Sequence, residues 1–492
     1  MSVVLNRGEA PGRDSARRLD AWSKAVGATR YSADLEIEGA LHGVVVRSHV
    51  AHAEITRIST TEATAVAGVV AVVTATDLAT GLCGRRVRDM PLLAADEVRF
   101  TGENVAVVLA ETRRAAEEAA ALVDVDYREL PAVFDADEAL SLSAPSVHQA
   151  PWTYDGAVVS EGDPVNLQSE LVDGSPAAVD EALARASHVV ARTYRTPAGH
   201  QGYLEPHCWT AAPAAGGGVR LQGTTKSPYR LREQVAKTLG LAVGDVTVAP
   251  VPLGGDFGGK GDVVDPALCA ALALGAGRPV RLAFRSGEDF SSTDARHPAR
   301  IDVRLGCDER GGLMALSVDA VLDGGAYAAA KPVPSVNLHG LAEAALGYRL
   351  GCFAIRSRIA YTHTVPKGHM RAPGAPQAVF AVESALDELA TAAGIDPVEL
   401  RRRNLLNCGD RDAYGHTWPQ ARGAAVLGAA RGVRATVAAP AGWTRGAGCA
   451  VYARPTAPPA TTSLRLSPAD DGGLEVQVPI PETGTGSHTV VR

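Results

Sequence analysis

Gly254, Gly255, Gly258 and Gly259, with Lys260 directly after them, form the segment of this chain best suited to chemistry. Without a Cβ, backbone N–H groups can come close to a rigid, anionic, oxygen-rich ligand. A nucleoside-triphosphate loop has G-x-x-x-x-G-K followed by Ser or Thr, whose hydroxyl holds Mg²⁺. Here Gly261 follows the lysine, and Asp256 inside the loop would repel a triphosphate. A dinucleotide fingerprint needs G-x-G-x-x-G opening a helix directly, and the spacing here is G-G-x-x-G-G. A tight turn without a ligand stays open, against the backbone-entropy cost of four glycines. Close backbone approach to a cofactor is the reading that uses all four.

Other chemistry has less support. The seven cysteines, Cys83, Cys208, Cys269, Cys307, Cys352, Cys408 and Cys449, are scattered, none at C-x-x-C spacing. A disulfide framework, or a zinc or iron–sulfur cage built from sequence-local ligands, is therefore not expected. No metal ligand set is assigned.

The elements that must hold the loop read as follows. The chain has 492 residues, 46% hydrophobic and 21% charged, which predicts several folded domains. Its net charge of −7, with acids and bases interspersed, offers no nucleic-acid footprint and no basic face for a membrane. No apolar run is long enough to span a bilayer, and the polar N-terminus lacks the apolar core of a secretion signal; the expected setting is the cytoplasm. β-branched runs such as "LHGVVVRS" and "ENVAVVLAE" predict strands, and "TRRAAEEAAALV" a helix with an alanine and leucine face. Residues 25–132 are expected to form one α/β domain and 133–174 a polar linker. "CWTAAPAAGGGVRLQG" predicts a hairpin, and "YRLREQVAKTLGL" a helix with Gly240 beyond its end. "DVTVAPVPL" is a strand leading into the glycine loop. Asp265 and Pro266 are expected as N-cap and first residue of the next helix. A second linker is expected over 423–440, and a last block over 441–492.

"GGDFGGK" closely resembles the Gly-Gly-x-Phe-Gly-Gly-Lys segment of the molybdenum-binding subunit of the xanthine dehydrogenase/aldehyde oxidase family. "HQGYLEPH" (200–207), "ARHPAR", "DGGAYA", "MRAPGAPQAVFAVESALDELA" and "PETGTGSHT" (481–489) resemble further segments of that family, in the same order over residues 25–492. The resemblance implies a mixed α/β and α+β fold. An N-terminal a/b hammerhead domain is followed by elongated molybdopterin-binding domains, the first over 175–422 and the second, incomplete, from 441. It implies a molybdopterin cofactor, as such or in the cytosine dinucleotide form, whose metal is held by the pterin's own sulfurs. The implied activity is hydroxylation of an aldehyde or an aromatic N-heterocycle: a water-derived hydroxyl on the metal attacks the substrate carbon and a hydride passes to the sulfido group. Separate 2Fe-2S and FAD subunits are implied as electron acceptors.

By position in these segments, Gly254, Gly255, Phe257, Gly258, Gly374 and Gln377 are implied cofactor contacts. So are Gly484, Thr485, Gly486, Ser487, His488 and Thr489, whose amides and short hydroxyls suit phosphate and pterin oxygens. Arg371 matches the family arginine near metal or substrate, and Gln201 is the candidate for the glutamine on the metal's oxo group. The alternatives are a core aromatic for Phe257, an ordinary surface or ion-paired arginine for Arg371, and a capping or packing histidine for His488. Glu205 is expected to be structural, tying its segment to neighbours. Gly261, Lys226 and Thr485 stand where the family often has Glu, Gln and Gln. The family's general-base glutamate, in a Gly-x-Gly-Glu segment near the C-terminus, has no counterpart here. The expectation is a split or truncated subunit, completed by a second chain or else binding cofactor or partner without catalysis.

Overall fold

The computed structural model describes residues 2–5, 17–261, 263–331, 341, 343, 346–431, 439–444, 446–453, 462–470 and 472–491. The expected β-branched runs are strands. Leu41–Arg47 pairs antiparallel with Asn104–Ala110, Val45 opposite Val107, and Val69–Thr74 flanks the latter. Helix Arg113–Ala120 lays Ala115, Ala116 and Ala119 on this sheet. The Thr112 hydroxyl caps it by accepting the Ala115 amide at 3.2 Å.

The first block does not stand apart from the second. Leu41–Arg47 also pairs in parallel with Val280–Ala283. The result is one seven-stranded sheet that continues through Cys208–Pro213 and Val219–Gly223 to Val246–Pro250. Cys208–Pro213 and Val219–Gly223 are the predicted hairpin. Helix Val264–Ala276 packs across this sheet, buried along nearly its whole length, as a helix apolar all round beyond its first turn must be. It begins at Val264, earlier than Asp265 and Pro266 suggest. Both lie in its first turn, where the missing proline N–H leaves no helical bond unmade.

A second sheet has the order Leu167–Gly174, Cys352–Ala360, Leu313–Asp323, Ala299–Cys307, His188–Thr196. Helix Ala375–Ala393 covers one face through Ala378, Ala381, Val382, Ala385, Leu386 and Leu389, at the i, i+3, i+4 spacing of an amphipathic helix. Helix Pro176–Arg185 packs Val179, Ala182 and Leu183 against Ala315 and Ala354. The stretch read as a linker, 133–174, carries structure of its own. Val133, Ala139 and Val147 pack on Ala328, Ala360 and Tyr361, and Leu167–Gly174 is a strand of this sheet. Gly423–Arg431 of the second linker is helical; residues 432–438 lie outside the described ones. The last block contributes the antiparallel strands Arg465–Pro468 and Leu474–Gln477, the latter also paired with Ser2–Leu5. Among the described residues no helix is long and apolar enough to cross a membrane.

The seam between the first block and the second sheet is lined with histidine. His52 stacks on His363 at 3.9 Å between ring centroids, and His148 packs on Tyr327 and Tyr361. Burial pushes His363 down to about 4 and His148 down to about 3. Both are neutral in the fold, whereas the unfolded chain protonates them near ~6.5. As pH falls through that value the unfolded chain binds protons that the fold refuses, so stability falls with pH. Roughly 2 kcal/mol per histidine should be lost by about pH 5, at ~1.4 kcal/mol per pH unit. Urea unfolding at several pH values checks this, and His363→Phe should flatten the profile. An identical profile in the variant would contradict it.

Candidate functional site

Three loops meet at one cleft of about 630 Å³, lined by residues 255–258, 369–371 and 373, and 483–485. The first lies between strand Val246–Pro250 and helix Val264–Ala276. The second leads from strand Cys352–Ala360 into helix Ala375–Ala393, and the third opens helix Ser487–Val491. Segments more than two hundred residues apart in sequence are thus brought to one wall. Gly255, Phe257, Gly258, Arg371, Gly484 and Thr485 line the cleft; Gly254, Gly374, Gln377, Gly486, Ser487, His488, Thr489 and Gln201 do not.

The first two loops are laced together. The Arg371 amide donates to the Phe257 carbonyl at 2.7 Å. Among the described residues only Phe257 (φ 43°) and Ala372 (φ 58°) have positive φ without being glycine. Such backbone strain persists where the surroundings over-determine it, and it clusters at functional sites. Phe257 is 47% exposed, which removes the core-aromatic alternative. Arg371 is exposed too, and its side chain makes no ion pair among the described residues, which removes the ion-paired alternative and leaves the ordinary surface one.

The loops are held from behind by neighbouring side chains. Arg296 reaches the Arg371 carbonyl with Nη2 at 2.7 Å and the Met370 sulfur with Nε at 3.3 Å. Its Nη1 meets Gln377 Oε1 at 3.3 Å, while Gln377 Nε2 donates to the His297 carbonyl at 3.0 Å. Gln377 is therefore buried beneath the second loop. Gln201 is buried likewise, its Nε2 donating to the His369 carbonyl at 2.7 Å and to Asp294 at 3.3 Å. Lys226 Nζ donates to the Gly258 carbonyl at 2.6 Å and lies 3.5 Å from Asp256. Lys260, the lysine of a would-be phosphate loop, points away from the cleft to Glu205 at 2.6 Å.

The third loop is built around Glu482. Its carboxylate accepts the amides of Gly484 at 2.8 Å, Gly486 at 2.9 Å and His488 at 3.2 Å. Partial burial pushes this carboxyl up, but the amides outweigh it and hold it below the usual range. Three of the amides expected to meet cofactor oxygens, those of Gly484, Gly486 and His488, therefore already have an acceptor. What the loop turns to the cleft is Thr483, Gly484 and Thr485, with Thr485 Oγ1 2.8 Å from Ser487 Oγ. His488 Nε2 bonds the Ile480 carbonyl at 2.8 Å, the packing role. Arg18 donates to the Gly484 carbonyl at 3.0 Å, and Thr489 Oγ1 accepts the Leu19 amide at 3.1 Å. Glu482→Ala should raise amide exchange at Gly484 and Gly486 about 5- to 30-fold, the loss of ~1–2 kcal/mol of hydrogen bonding. Unchanged exchange would show that the carboxylate does not organise the loop.

The cleft suits a large group with an aromatic and an anionic part. A Cβ on Gly258 would strike backbone, and one on Gly255 would lie 2.9 Å from Tyr203 Cβ, so main chain itself forms the wall. Phe257, Met370 and Pro373 supply apolar surface and Arg371 a cation, while the Asp256 carboxylate at the edge of the cleft is engaged by the Gly258 and Lys260 amides and by Lys226. His369 Nε2 is buried with no hydrogen-bond partner among the described residues. Burial, and then the charges of Lys226 and Arg85, lower His369 to about 3, so it is a neutral hydrogen-bonding group. Among the described residues no group of His, Cys, Asp and Glu is placed to hold a metal ion.

Known proteins match this arrangement. The family description "Molybdopterin cofactor-binding domain" matches residues 160–405, and "Aldehyde oxidase and xanthine dehydrogenase, a/b hammerhead domain" matches 26–131. A probable xanthine dehydrogenase subunit of Bacillus subtilis (strain 168) is 33% identical over 417 residues, 84% of this chain and 54% of that protein. The nicotinate dehydrogenase large molybdopterin subunit of Eubacterium barkeri is 28% identical over 81% of this chain and 90% of its own length. The solved aldehyde oxidoreductase from Desulfovibrio gigas superposes with a TM-score of 0.76 at 27% identity, over 84% of this chain and 46% of that one. Quinoline 2-oxidoreductase from Pseudomonas putida 86 gives 0.74 at 27%, over 84% and 52%. The chain spans about half the length of the Bacillus relative and of both solved structures.

Proposed function

Since this chain belongs to the molybdenum-binding subunits of the xanthine dehydrogenase/aldehyde oxidase family, we propose that its cleft holds the molybdenum–pterin group of a hydroxylase acting on an aldehyde or an aromatic N-heterocycle. The observation that carries the reading is the meeting of the 255–258, 369–373 and 483–485 loops on one cleft, with the strained Phe257 and Ala372 at their contact. The group, as molybdopterin or its cytosine dinucleotide, supplies two-electron oxidation with oxygen taken from water.

The chain's own residues bind and orient. Gly255 and Gly258 bring main chain to the ligand, Phe257 offers an apolar face, and Thr485 a hydroxyl donor. Arg371 presents a planar cation to an anionic oxygen of cofactor or substrate. Gln201, buried behind His369, fixes the inner wall. Arg371→Lys should lower turnover about ten-fold, ~1.4 kcal/mol of transition-state stabilisation, with molybdenum content unchanged, because a point charge cannot replace the guanidinium fork. Unchanged turnover would remove Arg371 from the site.

Electrons must leave the centre, and the scattered thiols offer no cluster cage; we assign that task to separate 2Fe-2S and FAD subunits. All seven cysteines are free thiols, which suits the cytoplasm. The test is turnover of aldehydes and N-heteroaromatics in ¹⁸O-labelled water with an artificial electron acceptor. Label in the product is expected; product oxygen drawn from O₂ would overturn the assignment.

A further inference from the structure

We propose that Glu205, Lys260 and Tyr203 form a buried mount that sets the shape of the glycine loop before any ligand arrives, which makes Lys260 a positioning residue and not a ligand. Only the consequence for molybdenum rests on the function proposed above. The two ends of the loop converge on one oxygen. Glu205 Oε2 accepts Lys260 Nζ at 2.6 Å and the Gly254 amide at 2.7 Å, while Oε1 accepts the Ser32 amide at 3.4 Å. Tyr203 fills the space between the ends. A Cβ on Gly259 would lie 2.8 Å from Tyr203 Cε1, and Lys260 Nζ sits 4.9 Å from the ring centroid, within cation–π range. The ring is fixed in turn. Its hydroxyl donates to Asp289 Oδ1 at 3.1 Å, and the His207 amide reaches Asp289 Oδ2 at 2.8 Å. On the cleft side Asp256 closes the turn by accepting the amides of Gly258 at 3.1 Å and Lys260 at 2.9 Å.

Lys260 is fully buried and Glu205 nearly so. A buried ion pair contributes little net stability over an apolar pair of similar volume, but removing one partner strands a charge. Such a pair is a device for geometry, and the geometry here is that of the loop facing the cleft. A loop tied at both ends to one carboxylate cannot relax when the cleft is empty, so a ligand meets it already formed.

Hydrogen exchange on the purified, cofactor-free chain tests the mount directly. Lys260→Met should speed exchange of the amides from Gly254 to Gly261 about ten-fold or more and leave the five-stranded sheet unchanged. The double variant Glu205→Gln/Lys260→Met should restore exchange to within about three-fold of wild type, because a glutamine carbonyl still accepts the Gly254 amide and no charge is stranded. In chains expressed with the cofactor supply, molybdenum per folded chain should fall in Lys260→Met. It should not fall in Val303→Ala, a core variant distant from the loop. Unchanged loop exchange in Lys260→Met overturns the proposal, as does equal molybdenum loss in the core variant. If Lys260→Met does not fold, the double variant decides: wild-type exchange is expected, and a loosened loop overturns the mount. A wild-type chain without molybdenum would instead count against the function proposed above, since the exchange readings do not depend on it.

Discussion

Gly258→Val should reduce molybdenum per folded chain below about a tenth of the wild-type value while the protein keeps its fold. Gly258 has φ 118°, a region that side-chain-bearing residues rarely adopt. A Cβ there would lie 2.5 Å from the His369 carbonyl oxygen, 2.7 Å from its carbon and 3.0 Å from Met370 Cα. These are backbone atoms and cannot swing aside. Relief requires the first and second loops to part, which breaks the 2.7 Å bond from the Arg371 amide to the Phe257 carbonyl and changes the cleft wall. Strain of ~1–3 kcal/mol at one such position equals one to two powers of ten in binding, at ~1.4 kcal/mol per factor of ten. Gly258 is only half-buried and lies in a loop outside every strand and helix, so circular dichroism and thermal unfolding should stay close to wild type. Unchanged metal content would remove the glycine loop from the site.

Arg401→Leu should cost about 3–5 kcal/mol of stability, the usual penalty for stranding a buried charge. Arg401 is fully buried. Nε donates to Glu383 Oε2 at 2.7 Å and Nη1 to Asp387 at 2.6 Å, and Nη2 reaches the Glu383 carbonyl at 2.9 Å. Glu383 also accepts the Tyr348 hydroxyl at 2.8 Å and the Val451 amide at 3.1 Å. The cluster therefore clamps helix Ala375–Ala393, whose first residues continue the second loop of the cleft, to helix Pro397–Asn404. Burial already pushes the Glu383 carboxyl up, against the pull of Arg401. Without the arginine it should rise further and be neutralised in mild acid. The loss should accordingly be smaller at about pH 5 than at pH 8. Urea unfolding at both pH values measures it, and a loss under ~1 kcal/mol would show that the clamp does not carry the helix.

The parts of the site legible in the sequence are those fixed by local backbone rules. Gly255, Gly258 and Gly484 stand at positive φ in the cleft loops, a demand that leaves glycine in the sequence. The strands and helices around them follow two-fold and 3.6-fold apolar patterns. What was not legible depends on contacts between distant segments. Nothing near Glu205 announces that it meets Lys260, 55 residues away. Arg296 holds a loop 75 residues downstream, and the amides of Gly484, Gly486 and His488, satisfied by Glu482, look from sequence like an open anion nest. The shared seven-stranded sheet escaped notice because a parallel pairing between Leu41–Arg47 and Val280–Ala283 leaves no mark in either strand. The stretch over 133–174 is polar in composition, yet it folds because its few apolar residues face Tyr361 and Ala360.

The central claim is that this cleft holds a molybdenum–pterin group. Its most direct test is the molybdenum and pterin content of the chain, purified alone and after co-expression with the genes that flank its own. Close to one molybdenum and one pterin per folded chain is predicted in the co-expressed preparation. Folded protein with neither molybdenum nor pterin in both preparations would contradict the account and leave a chain that keeps the loops without the cofactor.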